Sequence, residues 1–470
     1  MTGAKKMKRA LIPLLGLAVW LAGAVPAEAQ GELRLPPYKR VKLKNGMTLL
    51  LMEQRELPIV SFSVLVRAGS TADPAGKEGT ASVTAGLLRK GTKTRTADQL
   101  SAELDFIGGQ LFAFAGYDFT TLSAEFLKKD LDKGFALLTD VLLNPTFPAE
   151  EVEKLLKQRR DQAKSVKDNP GSVIAAYFNA YLFGAHPYGR PREGDERSLA
   201  AIGREDVVKF YETNYVPGAT ILAAVGDFSM AEMEKRLTEK FAGWPAKAAP
   251  EVKLPEPAPV KGRRLLLVDK PDATQTFYRI GNVGIARANP DRVAIDVVNT
   301  LFGGRFTSWL NTELRVKAGY TYGISSFFDE RKVRGPFAIN SFTPNEKTQA
   351  ALDLTLEVLK RFHEQGISEE ELKSAKAYLK GQFPPQIETS DQLASLLTTL
   401  EFHGLDEREI NELYTKIDAL TLAEARRIIR QYFPLEDLVF VCIGKASEIE
   451  SVLKKYAPVI NRKSISDAGY

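Results

Sequence analysis

Tyr215-Val216-Pro217-Gly218-Ala219-Thr220-Ile221-Leu222-Ala223-Ala224-Val225-Gly226 reads as an aromatic–proline turn, an unbroken apolar strand and a closing glycine. A helical pattern ending near Phe241 follows. The same order returns about 217 residues later in Tyr432-Phe433-Pro434-Leu435-Glu436-Asp437-Leu438-Val439-Phe440-Val441-Cys442-Ile443-Gly444, with a helix ending near Tyr456. Self-similarity at so long a spacing indicates an internal duplication that yields two like domains, since solenoid repeats are an order of magnitude shorter.

Between the two copies, Pro245, Pro250, Pro255, Pro257 and Pro259 are interspersed with Ala, Lys and Glu. This composition resists helix and sheet and favours an extended, semi-rigid connector. In the first half, Asn45-Gly46 between 41–43 and 47–52 is a hairpin signal, and 59–66 is a further strand. Helical patterns at 77–90, 95–107, 130–144 and 149–167 surround strands near 110–127. The second half repeats the plan. Strands near 264–284 lead into helical patterns at 290–318, with a hairpin at 320–343 and helices from 346 to 431. Hairpins followed by grouped helices predict an α+β fold: two homologous domains, each a mainly antiparallel sheet packed with helices. The expected boundaries are a signal peptide at 1–29, a first domain at 30–244, a linker at 245–262, a second domain at 263–458 and a tail at 459–470.

Residues 1–29 have the form of an export signal. Lys5, Lys6, Lys8 and Arg9 precede an apolar run from Ala10 to Val25, and Ala27-Glu28-Ala29 supplies a small-x-small cleavage site before Gln30. The chain holds 64 Lys+Arg and 59 Asp+Glu; the leader carries four and one of these, which leaves 60 against 58. A mature charge of +2 gives no reason to expect nucleic acid as a partner. No later run is long or apolar enough to span a bilayer, so no stable membrane insertion is expected after cleavage. The one cysteine, Cys442, lies within an apolar strand pattern, which assigns it to the core and leaves no intrachain disulfide.

The stretch beginning Ala68-Gly69-Ser70 contains Asp73-Pro74, Gly76 and Gly79-Thr80-Ala81. It continues Ser82-Val83-Thr84-Ala85-Gly86, then Leu87-Leu88-Arg89-Lys90-Gly91-Thr92. It resembles the segment around the metal site of the pitrilysin, insulinase and mitochondrial-processing-peptidase family of inverted zinc metallopeptidases. In that family the helix carries His-x-x-Glu-His, two histidines at i and i+4 binding zinc and the glutamate polarising a water. The resemblance puts Ser82 and Gly86 at the ligand positions and Ala85 at the general base, so this is a degenerate zinc motif. The family's third ligand, a Glu on a later helix, falls at or next to Asp161-Gln162 when aligned on Asp168-Asn169-Pro170. The chain has three histidines, His186, His363 and His403, none at i,i+4 from another. They are read as packing or surface residues, with His363 on an exposed helix, and no metal or other cofactor is expected in this chain.

The second half keeps what the first lacks. Gly303-Gly304-Arg305-Phe306-Thr307-Ser308-Trp309-Leu310 leads into Leu314-Arg315-Val316-Lys317-Ala318-Gly319-Tyr320-Thr321-Tyr322. Residues 305–318 read as a helix ended by Gly319, and Tyr320, Tyr322 and Ile324 as an alternating strand. In two-subunit members of the resembled family, one subunit carries zinc and the other supplies an Arg and a Tyr at this spacing. The resemblance therefore implies that Arg315 and Tyr322 bind peptide substrate and complete a zinc-bearing partner's site. Gly108-Gly109-Gln110-Leu111-Phe112-Ala113 matches the family's peptide-binding edge strand, with Phe112 where Asn is usual. The expected function is the non-catalytic subunit of an exported, periplasmic heterodimeric peptidase acting on unfolded peptide. The alternative is a peptidase-fold scaffold or binding protein with no part in proteolysis. Ser451-x-x-Lys454 and the basic run 154–160 are read as helix surface. Expression with the leader intact, followed by N-terminal sequencing of the exported product, is expected to find Gln30 first; an N-terminus at Met1 contradicts the export reading.

Overall fold

The computed structural model describes residues 33–470, so the signal-peptide expectation for 1–29 lies outside the described residues. The first sheet holds β1 (Lys39–Lys42), β2 (Thr48–Glu53), β3 (Ile59–Val66), β4 (Gln110–Ala115), β5 (Thr120–Leu127) and β6 (Thr220–Gly226), in the order β1-β2-β6-β3-β5-β4. The second holds β7 (Arg264–Asp269), β8 (Gln275–Val283), β9 (Ile324–Phe328), β10 (Pro336–Pro344), β11 (Val439–Gly444) and β12 (Ile460–Ser464), in the order β12-β7-β11-β8-β10-β9. All strands but the first of each order correspond one to one. In each half the second and third strands pair in parallel (β2–β6, β7–β11) and the next three pairings are antiparallel. This is the α+β, duplicated architecture read from the two strand–glycine motifs.

The apolar runs of β6 and β11 have a structural cause: both faces of each strand are covered. In β6, Leu222 and Ala224 enter the first half's own core, while Ile221, Ala223 and Val225 meet Leu393, Ala394 and Leu397 of the helix Ser390–His403. That helix comes from the second half. In β11, Phe440 and Cys442 enter the second core, and Val439, Val441 and Ile443 meet Val173, Ile174 and Phe178 of the helix Pro170–Phe183. That helix comes from the first half. Each sheet is thus sealed by a helix from the other half. Polar bonds fix the register: Ser63 and Thr398 hydroxyls lie 3.0 Å apart, Arg40 grips Glu401 through two 2.8 Å bonds, and Arg264 donates to Leu182 O at 3.1 Å.

Three expectations need correction. Residues 459–470 are not a tail: Ile460–Ser464 pairs in parallel with Leu265–Asp269, and Lys167 Nζ donates to Asp467 O at 2.7 Å. The boundary at 245–262 separates the strands of the two halves but not the helices at 170–183 and 390–403. The helix expected over 305–318 starts only at Trp309 and runs to Lys317. The helix Arg292–Asn299 runs into a wide π-type turn at Thr300–Gly304, Arg305 is extended, and a second wide turn spans Asn311–Lys317. Gly303 lets the turn before that start press onto β9: a Cβ there would lie 2.4 Å from Ser326 Oγ.

Cys442 is fully buried and its thiol is pushed up to about 12 by burial, which leaves it an inert core residue. Leu397 is 1 % exposed against the first sheet. Leu397→Ala is expected to cost about 2–5 kcal/mol while thermal unfolding stays a single transition, because the mutated helix clasps both halves. Two separated transitions in calorimetry would contradict the clasp.

Candidate functional site

The degenerate motif lies on the helix Thr80–Leu87. Buried Asp73 starts this helix by accepting from Gly79 N and Ala81 N, both at 2.7 Å. Gly79 (φ +96°) faces Gly194 (φ +79°): a Cβ on the first would lie 2.8 Å from Glu193 O, and on the second 2.6 Å from Glu78 O. Two left-handed glycines thus let the 190–194 loop press onto the helix start. The loop delivers Glu193, whose carboxylate accepts the Ser82 hydroxyl, pairs with Arg192 at 3.0 Å and lies 3.6 Å from Arg159. Arg159 projects from the helix Ala149–Ser165. Gly86 faces the same helix, where a Cβ would lie 3.2 Å from Leu155 Cδ2 and 3.9 Å from Arg159 Nη2. Ala85 is 2 % exposed and part of the first core.

These residues do not fit zinc. Around the pocket of about 300 Å³ at Ser82, the oxygen donors are one hydroxyl, the Gln162 amide and the Glu193 carboxylate. That carboxylate is already engaged by two arginines, and zinc sites need several Cys, His or carboxylate ligands. Of the two positions aligned with the third ligand, Gln162 lines this pocket and Asp161 is exposed outside it. Among the described residues no group of three or more His, Cys, Asp or Glu could hold a metal ion. The fixed guanidinium charge of Arg159 stands beside Gly86 and repels a dication.

Each histidine has a structural duty. His186 Nδ1 accepts from Tyr188 N at 3.0 Å and its Nε2 meets Pro255 O of the linker at 2.8 Å. His363 is half-buried rather than on an open surface, with Nε2 2.6 Å from Phe433 O. His403 ends its helix; burial, reinforced by the nearby cations Arg287, Lys332 and Arg67, pushes its pKa down to about 4.

Arg315 and Tyr322 line one pocket of about 470 Å³, floored by Phe342, Thr343 and Pro344 at the end of β10. Tyr322 is not in a strand, since β9 begins only at Ile324. The Thr321 hydroxyl accepts from Gly323 N at 3.1 Å, and Thr343 Oγ1 donates to Tyr320 O at 2.7 Å, so side chains hold this segment where a ladder would otherwise run. The resulting turn leaves Tyr322 81 % exposed. Arg315 is exposed and stacks on Phe306 at 4.7 Å, and Gly319 takes the left-handed conformation expected of it (φ +63°). β4 is a sheet edge whose Phe112 and Phe114 are exposed, with Arg89 5.9 Å over the first ring and Arg192 4.9 Å over the second. Sequence reasoning missed Arg159, Arg192 and Glu193. The glycine pair Gly79 and Gly194 was the available signal, but only the fold shows that the two meet.

Two family models match. Residues 49–196 match the one described as insulinase (peptidase family M16), and residues 201–379 match the peptidase M16 inactive domain. The chain is 29 % identical over 399 residues to an uncharacterized zinc protease of Mycobacterium tuberculosis, covering 83 % of this chain and 90 % of that one. A Pseudomonas fluorescens peptidase M16 inactive-domain structure superposes with a TM-score of 0.82 at 26 % identity, covering 87 % of this chain and 98 % of that one. A Helicobacter pylori protease shares the fold, with a TM-score of 0.81 at 22 % identity and coverage of 87 % and 100 %. Restoring the motif by Ser82→His, Ala85→Glu and Gly86→His together is expected to leave the protein without stoichiometric zinc by elemental analysis, because Arg159 and Leu155 occupy the ligand space. One equivalent of tightly held zinc would contradict this account of the site.

Proposed function

We propose, for a chain that belongs to the insulinase (peptidase M16) family, that it acts as the non-catalytic subunit of a heterodimeric peptidase. Its partner is a family relative with the intact zinc-binding helix, and the pair works outside the cytoplasm, in the bacterial periplasm. The observation that carries this reading is the pairing of a lost site with an open one. The half that matches the insulinase model has no donor set for a metal, whereas Arg315 and Tyr322 of the other half share a pocket and face outward.

An exposed phenol beside an exposed guanidinium has little structural value. Tyr322 buries almost nothing, and Arg315 has no carboxylate within ion-pair distance among the described residues. Phe306 at 60 % and Val316 at 65 % exposure extend the same surface with apolar area suited to a partner. The chemistry suits peptide hydrolysis. A guanidinium holds a substrate carbonyl or carboxylate in place, and a phenol donates to the oxyanion that forms on the scissile carbonyl. The substrate is unfolded peptide, because a chamber closed by two such chains excludes folded proteins. Among the described residues no helix is long and apolar enough to cross a membrane.

The test uses the purified complex with the zinc-bearing relative and a quenched peptide substrate. Tyr322→Phe is expected to lower kcat by about 10²-fold, and Arg315→Ala to lower kcat/KM by at least about tenfold. Co-elution of the two chains and the zinc content of the complex stay unchanged. Unaltered turnover in both variants contradicts the reading and favours a scaffold role.

A further inference from the structure

Beside the degenerate motif, a cavity of about 330 Å³ opens between the two halves, walled by the helices 149–165 and 170–183, the 190–194 loop and strands β8–β10. It shares Arg159, Gln162, Arg192 and Glu193 with the smaller pocket at Ser82, so the two are continuous. Its lining is cationic: Arg159, Arg190, Arg192, Arg279 and Arg331 face two carboxylate side chains among the described residues, Glu193 and Asp329. Glu193 is engaged by Arg192 and Arg159, and Asp329 by Arg331 at 2.6 Å. No carboxylate lies within 4.0 Å of Arg190 or Arg279 among the described residues. Arg279 is half-buried between Phe178 (5.8 Å) and Phe327 (5.2 Å), and among the described residues its side chain has one hydrogen bond, to Asn340 Oδ1 at 3.3 Å. Burial lowers its pKa to about 10, as expected of a desolvated cation whose charge is not fully compensated.

The orphaned atoms on this wall define the missing chemistry. Arg331 is 4 % exposed and stacked 3.6 Å over Tyr117, yet its Nη1 has no acceptor. Arg159 Nε also lacks an acceptor. Asn179, 7 % exposed, donates to Tyr117 OH at 2.9 Å while its Oδ1 has no donor. Buried donors and acceptors of this kind are ordinarily satisfied. Here the vacant donors ask for an anion, and the vacant acceptor, on the asparagine that donates to Tyr117, asks for an N–H. Tyr117, Val173, Phe327 and Tyr470 give the rest of the cavity an apolar wall.

We propose that this cavity between the halves binds an N-acylated amino-acid carboxylate with an apolar side chain, the chemistry of a peptide C-terminus. Arg279 and Arg331 hold the carboxylate, Asn179 Oδ1 accepts the amide N–H, and the apolar side chain packs on the aromatic wall. The site is built from this chain alone and does not depend on Arg315, Tyr322 or a partner subunit.

The test is isothermal titration calorimetry on the full mature chain with four probes: N-acetyl-phenylalanine, its carboxamide, and an acetylated penta-alanyl-phenylalanine peptide with a free or an amidated C-terminus. At least one free acid is expected to bind, with its amide at least tenfold weaker. Binding of the small acid alone identifies a free acylated amino acid as ligand, and binding of the peptide acid identifies a chain end. Arg279→Gln, which keeps a donor for Asn340, and Asn179→Asp, which adds a like charge at constant volume, should each weaken the acid at least tenfold. Absence of binding by both acids, equal binding of the amides, or unchanged affinity in a folded Asn179→Asp overturns the proposal.

Discussion

The constraint on which the rest of the structure depends is that β6 and β11 are apolar on both faces. A strand with all positions buried needs two covers, and each half supplies only one for its own sheet. The second cover is borrowed: the 390–403 helix for β6 and the 170–183 helix for β11. Each buried leucine in these layers contributes about 1.5–3 kcal/mol, so neither sheet can release its borrowed helix cheaply. The exchange therefore fixes how the halves face each other. It also brings the degenerate motif, the arginine-rich cavity and the loop that follows β9 into one region of the molecule.

This clasp separates what was legible in the sequence from what was not. Strand identity, the duplication, the proline connector and the burial of Cys442 follow from apolar runs and turn residues, which are local signals. The origin of the second cover is not local. The pattern of the 390–403 helix states that it has an apolar face, but nothing in it names Ile221 and Val225 as the partners. The tail was misread for the same reason. Ile460–Ser464 carries Asn461, Arg462 and Lys463, polar residues typical of an exposed edge, and only its pairing with β7 makes it a strand. The 305–318 helix starts late, at Trp309, where Gly303 and Asn311 tie this part of the chain to β9: the first by close approach, the second through Nδ2 to Ile324 O at 2.8 Å.

At the candidate sites, the loss at Ser82, Ala85 and Gly86 was readable as three absent side chains. The replacement was not readable, because Arg159 and Glu193 lie far apart in sequence and meet only through the Gly79–Gly194 approach. The pocket at Ser82 holds a network of two guanidiniums, one carboxylate and one hydroxyl, from Arg159, Arg192, Glu193 and Ser82. Its excess positive charge disfavours a dication, and Arg159 and Leu155 fill the space beside Gly86, so the difference from a zinc site is one of construction as well as of absent ligands. Arg315 and Tyr322 line one pocket, with Tyr322 on a turn before β9 instead of on the expected strand. Their exposure comes from hydroxyl-capped turns that periodicity does not register.

The central claim is that this chain completes an active site it does not itself contain. Its most direct measurement is a titration of this chain into a fixed amount of the zinc-bearing family relative, following cleavage of a quenched unfolded peptide. The account predicts that neither chain alone is efficient and that activity rises to a plateau at one equivalent. A partner already at full activity, unaffected by any amount of this chain, would contradict it.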